Sequence, residues 1–133
     1  MTAQPMMAPA SARRTRRPPR RLALVLGAEA LALAVMSVLH LSGALTGGHK
    51  PFAPDDAGIA EAIICVLLAA GAWTLARGRP RSGLIASATV VWAILGFCIG
   101  LYFSVQAGDP IDLAFHATML PVLAITLIGL RRR

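Results

Sequence analysis

Five ionisable side chains stand where the chain is otherwise apolar: Glu29, His40, Glu61 and His116 inside apolar runs, and Asp112 at the edge of one. A charged group at mid-depth in hydrocarbon costs at least about 2.5–3.5 kcal/mol on insertion scales, so such residues turn inward and find partners. Two kinds of chemistry suit them. Imidazole beside carboxylate can hold and pass protons, and the same pair can ligate a transition metal. The stretch PIDLAFHATMLP, residues 110–121, puts an aspartate, a histidine and a helix-breaking proline into one such run.

Helical geometry, about 100° and 1.5 Å per residue, says which of these groups can meet. Glu29, Met36 and His40 fall on one side of the first helix. Glu61, Cys65, Leu68 and Ala72 share a side of the second. Asp112, His116, Met119, Leu123 and Thr126 share a stripe of the fourth. His40, Glu61 and His116 each lie roughly 6–8 Å inside the same boundary, and Tyr102 of the third helix is at a similar level. These four residues are expected to form one polar layer, one per helix. As a structural feature the layer is a hydrogen-bonded knot that fixes helix register. As a functional one it is a ligand or proton site, with His40, Glu61 and His116 as metal ligands. Asp112 reads as a helix-start residue facing the positive end of the helix dipole.

Other residues carry secondary readings. Glu29 has no histidine or basic residue at its level, so its carboxyl is expected to be protonated or bonded to Thr74, Ser87, Thr89 or Thr126. One turn below the polar layer come Met36, Cys65, Cys98 and Met119, a set of soft donors suited to copper(I) but equally ordinary as packing. Gly96, Gly100 and Ser104, with Ala93 and Thr89, give the third helix a small-residue face for close packing. Cys98 and Tyr102 lie about 160° from that face at the helical repeat. So either the small face is a homodimer contact, or Cys98 and Tyr102 face lipid. Pro121 should free a backbone carbonyl and kink the fourth helix.

The elements that position these residues follow from composition. Of 133 residues, 56% are hydrophobic and only 14% charged, against about 25% charged in soluble domains. Four apolar runs, about 22–45, 57–76, 83–106 and 111–130, are each long enough to cross a hydrocarbon core of about 30 Å as helix. They do not alternate as barrel strands do. Short links make neighbours antiparallel. The fold expected is an all-α membrane protein, a four-helix transmembrane bundle of two antiparallel hairpins. Residues 1–21 read as a disordered basic tail, 22–130 as the transmembrane domain and 131–133 as a basic end. PDDAGIAEAIICVLLA from Pro54 aligns on PIDLAFHATMLPVLAI from Pro110, a weak repeat matching Pro54 with Pro110 and Asp56 with Asp112.

Charge sets orientation. Arg13, Arg14, Arg16, Arg17, Arg20 and Arg21, then Arg77, Arg79 and Arg81, then Arg131, Arg132 and Arg133 would share one side, against Lys50 on the other. Basic residues stay cytoplasmic, so both termini are expected inside a bacterial cytoplasmic membrane, with the arginine clusters against anionic lipid headgroups. The formal charge of +7 is thereby explained without a nucleic-acid partner. The arginine-rich start resembles a signal peptide ending near Ser42–Gly43–Ala44, but the apolar run exceeds the usual 7–15 residues. No nucleophile elbow, phosphate loop or zinc-protease motif is present, which argues against an enzyme.

GAE (Gly27 to Glu29) and WAILG (Trp92 to Gly96) resemble the small multidrug resistance transporters, four-helix proteins with an essential membrane glutamate. That resemblance implies Glu29 as a proton and cation site and Trp92 as a wall of the pocket. His40, Glu61, His116 and the one-sided arginines depart from that pattern. More broadly the chain resembles small four-helix bacterial membrane proteins without an assigned activity. The primary expectation is a structural or interaction bundle that self-associates through helix 3. The alternatives are a metal- or redox-linked protein using the His/Glu layer, and a small proton-coupled exporter using Glu29.

Overall fold

The computed structural model describes residues 20–45 and 54–132. Within them the chain forms α1 (Arg20–Leu41), α2 (Pro54–Ala76), α3 (Ser82–Ala107) and α4 (Pro110–Arg131), with no strand among the described residues. All four helices are long and apolar enough to cross a membrane. Most of the expected basic tail, and Lys50, fall outside the described residues. Arg20 and Arg21 belong to α1, not to a tail, because helix begins before the apolar run does.

Local chemistry sets the helix ends. α1 stops at Leu41, four residues short of the expected end. Gly43 takes a left-handed φ of 72°, and its N–H returns to His40 O while Leu45 N–H returns to Leu39 O. That closing pattern satisfies the last carbonyls and needs a residue free of a Cβ. α2 starts three residues early, at Pro54, with Asp55 and Asp56 in its first turn. Proline has no N–H to waste there, and the acids face the positive helix end. α3 ends on Gly108 (φ 70°), whose N–H bonds Ser104 O. Two residues later α4 begins, capped by Asp109, which accepts from Ile111 N–H (2.8 Å) and Asp112 N–H (3.1 Å).

The helices contact in chain order, α1 on α2, α2 on α3, α3 on α4, and a thinner α1–α4 contact closes the ring. Leu26, Leu33, Leu68, Leu75, Val90, Phe97 and Leu123 fill its centre. In lipid the apolar effect does not drive helices together, so close approach and polar contacts must. Glycines supply the approach. A Cβ at Gly71 would lie 2.6 Å from Thr89 Oγ1, and one at Gly96 would lie 2.5 Å from Ile64 Cδ1. A Cβ at Gly100 would collide with the His116 ring.

The small face of α3 is therefore occupied within the chain, by Ile64 of α2 and His116 of α4. Of the two sequence alternatives, this packing fits the one that keeps the small face inside the bundle. Cys98 is exposed, and Tyr102 is 61% exposed with its ring edge-on to Phe103. Tyr102 is not a member of the polar layer, because the turn of α3 that sends Gly100 and Ser104 inward sends Tyr102 out. Cys98 likewise leaves the expected set of soft donors. α4 runs unbroken through Pro121, which sits exposed on its outer side.

Candidate functional site

Each helix brings its polar group to the same end of the ring, where α1 finishes and α4 begins. His40, in the last turn of α1, is fully buried and its Nδ1 lies 2.8 Å from Glu61 Oε2, two turns into α2. Beside it, Ser37 donates to Gly58 O at 2.7 Å, a contact that brings α1 against the α2 backbone where Gly58 has no side chain. His40 Nε2 faces Asp112 Oδ1 of α4 at 3.8 Å. The His40 ring thus stands between two carboxylates, one from each neighbouring helix.

Asp112 is the centre of the arrangement. It is 2% exposed. The Ser104 hydroxyl of α3 bonds its Oδ2. His116 Nδ1 lies 3.1 Å from Oδ1 and 2.9 Å from the Asp112 main-chain oxygen, to which it donates. His116 is one turn further along α4, its ring over Gly100 and 5.0 Å from the Phe97 ring. Contacts therefore run from Glu61 through His40 and Asp112 to Ser104 and His116, touching all four helices.

Of the expected layer, the structure brings together His40, Glu61 and His116 and leaves out Tyr102. It adds Asp112 and Ser104. Asp112 does lie in the first turn of α4, as its spacing predicts, but Asp109 supplies the cap and the Asp112 side chain turns inward. The signal was present, since Asp112 and His116 are four residues apart on one stripe. The α3 sequence by itself marks Ser104 only as a small packing residue and gives no sign of its bond to Asp112.

Two carboxylate oxygens in the knot accept no hydrogen bond from any described residue: Glu61 Oε1 and Asp112 Oδ1. For Asp112 Oδ1 the nearby His116 Nδ1 spends its hydrogen on the main-chain oxygen. One donor atom each from His40, Glu61 and Asp112 falls within 4.8 Å of the others, all three residues buried. His116, expected as a ligand, is outside that triangle and stands behind Asp112. A groove of about 570 Å³ opens beside the knot between α2 and α3. Ile64, Trp92, Leu95 and Phe103 wall it, Glu61, Asp112 and His116 lie on its floor, and exposed Asp56 also lines it.

Glu29 lies elsewhere, in the other half of the bundle. Thr126 Oγ1 of α4 donates to its Oε1 at 2.6 Å, one of the four hydroxyl partners foreseen. It does not line the groove, whereas Trp92 does. No protein-family model, curated protein or solved structure matches the chain.

Proposed function

We propose that the chain is a multi-pass protein of the bacterial cytoplasmic membrane that works by binding and assembly, without catalysis of its own. Its helices cross as two antiparallel hairpins, α1 with α2 and α3 with α4, and both ends are cytoplasmic. Arg20 and Arg21, then Arg77, Arg79 and Arg81, and Arg131 and Arg132 support that orientation, against Asp55, Asp56 and Asp109 at the opposite ends of the helices. Arg77 over the Trp73 ring at 4.1 Å suits an aromatic anchor at the inner interface.

The observation that carries this reading is the polar chain through all four helices at one level. A buried network of this kind specifies register, since sliding any helix by one turn breaks it. Self-association uses a second copy on the exposed stripe of α3, Leu95, Cys98, Ile99 and Tyr102, in place of the small face. α3 is the least covered helix, with 22% of its apolar window buried against 33% for α1. Cys98 makes the contact testable in membranes. A short bis-maleimide should link two chains, and Cys98→Ser but not Cys65→Ser should abolish the link. A monomer under these conditions contradicts self-association, and a reporter after Arg133 found outside contradicts the topology.

One observation favours a second reading, proton exchange at Glu29. Its Oε2 is buried without a hydrogen-bond partner. Proton release on adding a lipophilic cation, abolished by Glu29→Gln, would move the exporter reading ahead.

A further inference from the structure

The loose oxygens of the polar knot need a partner that neither the register reading nor the self-association reading provides. Glu61 is 5% and Asp112 2% exposed, so Oε1 and Oδ1 have no bulk water to solvate them. An unpaired buried acceptor on a charged group is costly. Both oxygens are acceptors, and both belong to residues whose donor atoms gather with a His40 nitrogen inside 4.8 Å. We propose that His40, Glu61 and Asp112 form a binding site for one divalent first-row transition-metal ion.

The donor set decides the class of ion. One imidazole and two carboxylates suit zinc, manganese, iron(II) or cobalt(II). Copper(I) wants sulfur, yet Cys98 faces outward and Cys65 is not among the gathered residues. Charge also fits. Two carboxylates and a neutral imidazole hold a dication as a neutral unit, which a low-dielectric interior favours over any unbalanced alternative. The His40 nitrogen that ligates the ion must carry no proton, so any proton there leaves with solvent on binding.

The surroundings have the form a metal site requires. Ser104 on Oδ2 holds the Asp112 carboxyl from behind, and His116 on the Asp112 main-chain oxygen steadies the same turn, as outer partners orient a ligand. Gly100 is what allows the His116 ring to stand there. The ligands come from α1, α2 and α4, so the ion would tie three helices at once. The groove reaches Glu61 and Asp112 from the surface and offers the ion a route in past Asp56.

The test uses the full chain, purified in detergent through a tag without histidine and stripped with a chelator. Zinc at increasing concentration is dialysed against it and bound metal is counted per chain. One equivalent should bind. Glu61→Gln and Asp112→Asn, which keep shape and hydrogen-bonding reach, should each weaken binding by more than about a hundredfold, and His116→Gln by about ten- to a hundredfold. Asp55→Asn, exposed and outside the site, should bind as the parent does. Retention of helical circular dichroism and of elution volume shows that the variants remain folded. No stoichiometric zinc on the parent, or undiminished binding by both Glu61→Gln and Asp112→Asn, overturns the site.

Discussion

A lone buried carboxylate and a buried carboxylate pair occupy opposite halves of the bundle, and they are built differently. Glu29 has one partner, Thr126, which links α1 to α4 across the thinnest contact in the ring. Glu61 and Asp112 share His40, Ser104 and His116, reach all four helices and open onto a groove. The first is how a bundle accommodates one acid, by giving it a neighbouring hydroxyl. The second places more acceptor oxygen in one spot than its own donors satisfy. Glu29 also keeps one unpartnered oxygen, Oε2, but it stands alone and away from the groove, whereas Glu61 Oε1 and Asp112 Oδ1 lie together beside a histidine and the groove.

This contrast can be broken most directly at Asp112. Asp112→Leu removes the group that His40, Ser104 and His116 face, and is expected to cost about 3–5 kcal/mol in detergent unfolding, the scale for breaking a buried charged network. Gly100→Ala comes next. Its methyl must displace the His116 ring, so a loss of about 1–3 kcal/mol is expected by the same measurement, as for an overpacked interior. Smaller still is Glu29→Gln, which keeps an acceptor for Thr126. A change of about 1 kcal/mol or less is expected, with zinc binding untouched. Last is Tyr102→Phe, which should stay within about 0.5 kcal/mol of the parent, because the hydroxyl is outside the knot. If Tyr102→Phe weakened zinc binding as Asp112→Asn does, the contrast between the two faces of α3 would be wrong.

The four helices are largely legible in the sequence. Apolar run length alone gives four helices long enough to cross a membrane, and their ends differ from the apolar runs for reasons local to Gly43 and Pro54. Three of the four expected layer residues lie in one chain of contacts, His40 on Glu61 and His116 joined to them through Asp112, because helical phase and depth fix where they point. Tyr102 stays out of the knot because helical phase puts it opposite the small face, and sequence alone leaves open which of the two faces turns inward. Its level on α3 was right, but Gly96, Gly100 and Ser104 claim the inner side, and the choice between those faces depends on what packs there. Asp112 was obscured by a neighbour. The matched prolines of the internal repeat suggested that Asp56 and Asp112 act alike, yet Asp56 is exposed and Asp112 buried. Asp109 makes the difference, as it caps α4 and releases Asp112 to the interior.

The central claim concerns which atoms surround a bound ion, and X-ray absorption at the zinc edge on the loaded, detergent-purified chain reads this directly. The account predicts a first shell of nitrogen and oxygen only, at about 2.0–2.2 Å, with the outer-shell scattering of a single imidazole that disappears in His40→Ala. A shell containing sulfur at about 2.3 Å, or one unchanged by His40→Ala, would contradict it.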